Sequence, residues 1–162
     1  MHISFDIDDT LMMHGDGYPL DSNRVPWYLR GVYRERLREG SYELLQELQE
    51  SGHEISIYTT SSRKVRYIRR WFKFYGVTLK CIVNDEVHSQ VVRSSSKSTG
   101  KRPPSKNPRK FNVDLHIDDL PGVAQEGKEY GFNVLVIDPE DKDWTRKVLE
   151  QLFPEDPRGL YD

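Results

Sequence analysis

Segments with the sequence patterns of strands and helices alternate along the 162 residues of this chain. Short apolar runs, typical of buried strands, are separated by segments whose apolar residues recur at helical spacing. The predicted strands are residues 2–7, 54–59, 79–83, 113–117 and 132–137. The predicted helices are residues 41–51, 62–75, 122–130 and 143–153.

Strands that alternate with helices of this length form βαβ units and hence a parallel sheet. Because such crossovers are right-handed, the expected fold is α/β: a three-layer, doubly wound, Rossmann-like sheet of about five parallel strands in the order 3-2-1-4-5. The strand order reverses between strands one and four. Doubly wound sheets bind their ligands at that point, outside the carboxyl ends of the strands.

We expect one domain over residues 1–162, because this length is usual for a domain and is enough to bury a core. Two segments interrupt the alternation. Residues 12–39 form a small insert that contains several Gly and Pro residues, and residues 85–112 are predicted to be a polar, basic loop. Each segment is too short for a separate cap domain.

No apolar run approaches the ~20 residues of a membrane helix, and the N-terminus has no apolar signal region. The one cysteine, Cys81, lies in an apolar run and is interpreted as a core residue. A single cysteine permits no intrachain disulfide, so a cytoplasmic location is the simplest expectation. A membrane is not expected as a partner.

The net charge of the chain is only −2, but its distribution is uneven. Residues 63–110 hold 14 lysines and arginines and only two acidic residues. The overall charge makes nucleic acid an unlikely partner, whereas the basic middle suits an anionic substrate. Bases and aromatics alternate over residues 66–75, but four apolar side chains there follow helical spacing and predict a core stripe. These are Ile68, Trp71, Phe72 and Tyr75.

Acidic residues follow the two predicted strands that flank the reversal point. Asp6 and Asp8 end strand one, and Asp118 and Asp119 follow strand four. Alternate side chains of an extended segment share a face, so Asp6 and Asp8 are expected to point together, with Asp118 arriving from the neighbouring strand. Three converging carboxylates would repel one another. A hard cation relieves that conflict, and ligands that are all oxygen suit Mg²⁺.

These residues resemble the motifs of the haloacid dehalogenase-like (HAD) hydrolases. Residues 6–10, Asp-Ile-Asp-Asp-Thr, resemble the first motif, and residues 55–59, an apolar strand that ends in Thr, resemble the second. The pair Asp118-Asp119 resembles the fourth. The third motif is a lysine ahead of the fourth strand, and Lys106, which shortly precedes a proline, is preferred over Lys110. The resemblance covers nearly the whole chain.

The resemblance implies an Mg²⁺-dependent phosphatase that works in two steps. Asp6 would attack phosphorus and form an aspartyl-phosphate, and Asp8 would serve as the acid and then the base. Asp8 would therefore have to hold a proton while Asp6 does not. The metal would bind the Asp6 carboxylate, the backbone carbonyl of Asp8 and the Asp118 carboxylate. Because halide leaves without a proton, the acid at Asp8 favours phosphoester cleavage over dehalogenation.

Other residues would support this chemistry. Thr59 and Lys106 would bind oxygens of the phosphoryl group, and Lys106 would also hold Asp6 in place. Thr60 and Arg63, at the start of a predicted helix, are candidates for binding the substrate. Asp119 and Thr10 would lie in the second shell around the metal. His14 and His88 are interpreted as loop residues without a catalytic role.

The substrate is the least constrained part of the prediction. A small phosphorylated metabolite is expected, with Trp27, Tyr28 and Tyr33 of the insert as a small apolar wall over the site. An open site would instead admit a large phosphorylated partner, and a second subunit of a homo-oligomer could supply a lid. The alternatives are a phosphotransferase that uses the same intermediate, a non-catalytic binding module, and a phosphatase that processes nucleic-acid ends.

Overall fold

The computed structural model describes residues 1–94 and 102–154. Its sheet contains five parallel strands in the order β3-β2-β1-β4-β5, which confirms the predicted topology. The strands are β1 (His2–Phe5), β2 (Glu54–Tyr58), β3 (Leu79–Val83), β4 (Leu115–Asp118) and β5 (Val134–Val136). Their ends differ from the predicted ones by no more than two residues.

Helices alternate with the strands along the chain. They are α1 (Ser41–Glu50), α2 (Val65–Phe74), α3 (Asp85–His88), α4 (Pro121–Tyr130) and α5 (Trp144–Leu152). Short 3₁₀ turns span Trp27–Leu29 and Pro108–Phe111. The predicted stripe on α2 is confirmed, because all four of its apolar side chains are buried. The basic side chains of α2 lie on its exposed face.

The prediction of a loop over residues 85–112 was wrong at its beginning. Asp85–His88 form α3, which continues as a π-helical turn over Ser89–Arg93. The cause is local. The Asn84 side chain caps the helix by accepting a hydrogen bond from the backbone N–H of Val87, and acidic residues occupy the first turn, where the helix dipole favours them. The serine-rich part of the predicted loop, residues 95–101, lies outside the described residues.

The two faces of the central strands differ in polarity. Alternate residues place Ile3 and Phe5 of β1 on one face, where they join an apolar core with side chains of α1, α2 and α5. The opposite face is buried but polar. The residues on it are His2, Ser4, Ser56, Tyr58 and His116. Hydrogen bonds join several of them, as buried polar groups require.

The insert packs against the sheet domain through specific contacts. The Asp21 carboxylate accepts hydrogen bonds from the backbone N–H groups of Gly40 and Tyr42, at 2.8 and 2.6 Å, and so caps α1. Tyr33 stacks on Tyr67 of α2 with ring centroids 4.8 Å apart. These contacts hold the insert against the start of α1 and against α2.

Cys81 is only partly buried, so its interpretation as a core residue holds in part; its thiol donates to the Ser56 hydroxyl. Within the described residues, no helix has both the length and the apolar character that a membrane span needs.

Candidate active site

Asp6 continues β1 by one residue and lies at the carboxyl edge of the sheet. Its N–H donates to the carbonyl of Ile117 on β4 at 2.9 Å, so the backbone is still held by the neighbouring strand. The chain then turns sharply, because the carbonyl of Ile7 accepts from the N–H groups of Thr10, Leu11 and Met12. The Asp6 side chain is left buried, with 5% of the residue exposed.

Lys106 lies between the carboxylates of the two strands. Its Nζ is 3.1 Å from Asp6 Oδ2 and 2.5 Å from Asp118 Oδ2, and only 1% of the residue is exposed. Lys110, the alternative candidate for the motif lysine, is exposed on the following 3₁₀ turn. Lys106, and not Lys110, therefore lies next to the two carboxylates.

The segment that carries Lys106 is anchored on both sides. Ser105 donates through its N–H and its hydroxyl to the carboxylate of Glu126 on α4. Asn107 donates its N–H to the Tyr58 hydroxyl at 2.9 Å, and that hydroxyl also bonds His88 Nδ1 at 2.6 Å. His88 is therefore a buried helical residue that supports this segment, and its interpretation as a loop residue was wrong.

Asp118 is fully buried at the end of β4. Its Oδ2 accepts from Lys106 and, at 2.9 Å, from Nε2 of His116, while Oδ1 accepts from the N–H of Leu120. Burial by itself would raise the pKa of Asp118. The hydrogen bond from His116 and the charge of Lys106 outweigh that effect and hold the pKa well below its ordinary value, so Asp118 is ionised at neutral pH.

The pKa of Asp6 is shifted in the opposite direction. Burial raises the pKa of its carboxyl above the ordinary value, and the nearby negative charge of Asp118 acts in the same direction, whereas Lys106 opposes both. Asp6 Oδ1 is buried and has no hydrogen-bond partner within residues 1–94 and 102–154. A buried carboxylate oxygen with no partner is costly, and a bound cation would satisfy it.

A third carboxylate completes a group that fits a cation. Asp6, Asp118 and Asp119 each offer an oxygen, and these oxygens lie within 4.8 Å of one another. The donors are all oxygen, as Mg²⁺ prefers. Asp119, predicted for the second shell, is thus itself a member of this group, and the Thr10 hydroxyl lies beside it at 3.5 Å from Asp119 Oδ1. The residues present therefore fit the metal that the motifs imply.

The Asp8 side chain is not part of this carboxylate group. Both terminal nitrogens of Arg63 donate to it at 2.8 Å, and His14 Nε2 lies 2.9 Å from its Oδ1. Burial alone would raise the pKa of Asp8, but the hydrogen bonds and charge of Arg63 outweigh it and lower the pKa. In this arrangement Asp8 is an ionised partner of Arg63, whereas the sequence predicted a protonated acid beside Asp6.

Thr59 follows β2 at the same edge of the sheet and is fully buried. Its N–H donates to the carbonyl of Val83, and its hydroxyl oxygen accepts from the N–H of Ser61 at 3.2 Å. Thr60 is exposed next to it. The predicted aromatic wall does not form as a unit, because Tyr33 is buried against α2 whereas Trp27 and Tyr28 are 80% and 68% exposed.

Sequence reasoning missed two groups of residues. Glu35 of the insert accepts from Nε of Arg63 at 2.7 Å and so holds the other edge of the guanidinium. Ser4 and His116 lie beneath the carboxylates. The sequence did contain a signal for Ser4 and His116, since each lies two residues before an aspartate and therefore on the same strand face as that aspartate. Nothing in the sequence pointed to Glu35.

No protein-family model matches the sequence, and no curated protein matches it significantly. Solved structures do resemble it. A HAD-superfamily hydrolase from Ehrlichia chaffeensis aligns over 94% of this chain and 97% of its own, with a TM-score of 0.54 and 14% identity. The HAD domain of the effector protein Lem4 from Legionella pneumophila aligns over 93% and 92%, with a TM-score of 0.52 and 12% identity.

At 12% and 14% identity, these two similarities concern the fold. The five-stranded parallel sheet in the order β3-β2-β1-β4-β5 agrees with that fold. The chain therefore has the fold of the HAD-superfamily hydrolases.

Proposed function

We propose that this protein is an Mg²⁺-dependent phosphatase that hydrolyses a phosphomonoester through an aspartyl-phosphate on Asp6. The observation that carries the proposal is the position of Lys106, whose ammonium group lies between Asp6 and Asp118 in a buried site. A buried cation next to a buried carboxylate suits a reaction in which that carboxylate approaches an anionic phosphoryl group.

The metal would be held by the carboxylates of Asp6 and Asp118, with the backbone carbonyl of Asp8 and the nearby Asp119 as further oxygen donors. Asp6 Oδ1, which is buried and unpartnered within the described ranges, supports this assignment. When bound, Mg²⁺ supplies positive charge that reduces repulsion between the nucleophile and the phosphoryl oxygens. Lys106 supplies a second positive charge from the protein itself.

In the first step the Asp6 carboxylate forms a bond to phosphorus, and the bond from phosphorus to the leaving oxygen breaks. Asp8 gives its proton to that oxygen. In the second step Asp8 takes a proton from water, which attacks phosphorus, releases phosphate and restores Asp6. Thr59 and Lys106 bind the oxygens of the phosphoryl group in both steps.

Asp8 must first exchange its partner. In the structure its carboxylate is bound by both terminal nitrogens of Arg63, which keeps it ionised. We propose that the anionic substrate takes over the hydrogen bonds of Arg63, so that Asp8 becomes free to hold a proton. Arg63 thereby acts as a substrate-binding residue, with Glu35 keeping the guanidinium in place.

A small phosphorylated metabolite is the proposed substrate class. Transfer of the phosphoryl group to an acceptor other than water would use the same intermediate. Adding candidate acceptor alcohols to the hydrolysis assay separates the two reactions, because transfer yields a new phosphoester in place of some of the inorganic phosphate.

The test is hydrolysis of an aryl phosphate by the wild type and by Asp6→Asn, with and without Mg²⁺. We expect Mg²⁺-dependent turnover by the wild type and none by Asp6→Asn. Asp114→Asn is the matched control, because it makes the same change at the opposite edge of the sheet, and it should keep wild-type turnover. A wild type inactive on aryl phosphates, sugar phosphates and nucleotides would favour a non-catalytic binding module.

A further inference from the structure

A polar pair lies directly beneath the two central carboxylates. Ser4 of β1 and His116 of β4 face each other in the register of the sheet, and both are fully buried. Each lies two residues before an aspartate, Asp6 directly after β1 and Asp118 at the end of β4. Because residues two apart share a face of a strand, the pair forms a layer below the carboxylates.

His116 is held at both ring nitrogens. Its Nδ1 lies 2.8 Å from the Ser4 hydroxyl and its Nε2 lies 2.9 Å from Asp118 Oδ2. An ionised carboxylate can only accept hydrogen bonds, so Nε2 carries the hydrogen of the second bond. The Ser4 hydroxyl fixes the orientation of the ring at its other end.

These bonds determine which oxygen of Asp118 remains available. Oδ2 already accepts two hydrogen bonds, from Lys106 and His116, whereas Oδ1 accepts only one from the described residues, that of the Leu120 N–H. Since each carboxylate oxygen has two lone pairs, Oδ1 keeps one that is free. Asp6 has the same asymmetry, with Oδ2 next to Lys106 and Oδ1 unpartnered among the residues described.

We propose that His116, oriented by Ser4, is a positioning residue for the metal site: it occupies Oδ2 of Asp118 and thereby directs Oδ1 to the cation. This inference rests on the proposed function, because it assigns a role within the same site. Without the His116 bond, the Asp118 carboxylate could rotate, and Lys106 would be the one remaining partner of Oδ2 among the described residues. Hydrogen-bond partners of metal ligands typically change metal affinity by about 10- to 100-fold.

If His116 had only a structural role, its loss would affect stability and not metal binding specifically. A buried histidine on the same face of the sheet provides the control. His2 of β1 is another buried histidine of this face, and its ring bonds the Ser56 hydroxyl at 2.6 Å and the carbonyl of Asn112 at 2.8 Å. Like His116, the His2 ring bonds a serine hydroxyl, but within the described residues it bonds no carboxylate. Replacing His2 therefore reports the cost of losing a buried histidine from this face.

The experiment is calorimetric titration of Mg²⁺ into the metal-free protein, for the wild type, His116→Leu, His116→Gln and His2→Leu. We expect His116→Leu to weaken Mg²⁺ binding by about 10- to 100-fold. His116→Gln, whose amide can still donate to Asp118, should recover most of that loss. His2→Leu should lower the unfolding temperature and leave Mg²⁺ affinity within about twofold of the wild type.

Two results overturn the inference alone. One is wild-type Mg²⁺ affinity in His116→Leu, and the other is an equal loss of affinity in His116→Leu and His2→Leu. If His116→Leu does not fold, Ser4→Ala carries the test, since it removes only the hydroxyl that orients the ring; unchanged affinity in Ser4→Ala would then contradict the proposal. A wild type that binds no Mg²⁺ would overturn the metal-dependent function together with this inference.

Discussion

Lys106 is the residue on which the electrostatics of the site depend. It is almost fully buried, and its ammonium group is the bridge between two buried carboxylates. Replacing it with methionine keeps the length of the side chain but leaves Asp6 and Asp118 to repel each other. Removing one partner of a buried ion pair is strongly destabilising, because the remaining charge loses its compensation.

We therefore expect Lys106→Met to lower the free energy of unfolding by about 3–5 kcal/mol. Turnover of an aryl phosphate should fall by about 10²- to 10³-fold, since a positive charge at the phosphoryl group is lost. Urea unfolding and steady-state kinetics measure the two effects. Lys110→Met, on the exposed turn nearby, should change stability by less than about 0.5 kcal/mol. Equal stability of the two variants would contradict the buried bridge.

Individual residues also show where sequence reasoning stopped. Asp6 and Asp118 were predictable, because topology alone brings the ends of β1 and β4 together. The partner of Asp8 was not, because Arg63 lies 55 residues away and its direction depends on the loop before α2. Long-range side-chain pairs of this kind depend on tertiary packing and leave no periodic pattern in the sequence.

At the scale of secondary structure, strands and long helices were predictable and the short α3 was not. The five strands have apolar runs, and α1 and α2 have apolar stripes that bury three or more side chains. In contrast, α3 has four residues, and its beginning depends on one capping interaction of Asn84. Such a helix is too short for helical periodicity to be recognised.

Helix α4 holds two glycines in very different surroundings, which gives a matched pair of substitutions. A Cβ atom at Gly127 would lie 2.6 Å from the carbonyl oxygen of Phe132, a backbone atom that can move only if the turn before β5 moves. A Cβ atom at Gly122 would meet nothing within 4 Å. The first glycine thus allows the close approach of α4 to the chain that enters β5, and the second has no such role.

We expect Gly127→Ala to destabilise the protein by about 1–3 kcal/mol, because the added methyl group overpacks this contact. Gly122→Ala should instead stabilise it by about 0.4–1 kcal/mol, because alanine restricts the unfolded chain at a helical position. Thermal unfolding of both variants beside the wild type measures the difference. Two changes of the same sign would show that helix propensity, and not the contact with Phe132, decides the result.

At the scale of the whole molecule, the contacts around Asp8 join three parts of the chain. The loop after β1 supplies Asp8, the insert supplies Glu35, and the loop before α2 supplies Arg63. Two contacts thus hold the insert. Asp21 caps α1, and Glu35 pairs with Arg63 next to Asp8. The stability of the whole fold should therefore depend on the ionisation of Asp8.

The sign of that dependence follows from the direction of the pKa shift. Arg63 lowers the pKa of folded Asp8 below its ordinary value of 3.8, so the unfolded chain binds this proton at a higher pH than the folded protein. The stabilisation by ionised Asp8 is then fully present above pH 3.8 and is lost as the pH falls through the lower, folded-state pKa. In Asp8→Asn, where the group cannot titrate, this contribution is missing at every pH.

The difference in unfolding free energy between the wild type and Asp8→Asn should therefore be constant near neutral pH and shrink as the medium becomes more acidic than pH 3.8. Urea unfolding in metal-free buffers of decreasing pH measures it. Asp16→Asn, at an exposed carboxylate of the neighbouring insert, is the control, and its difference from the wild type should stay small throughout. A gap for Asp8→Asn that widens in acid would mean that the carboxylate is protonated in the folded protein, and the pairing with Arg63 would then not hold Asp8 ionised.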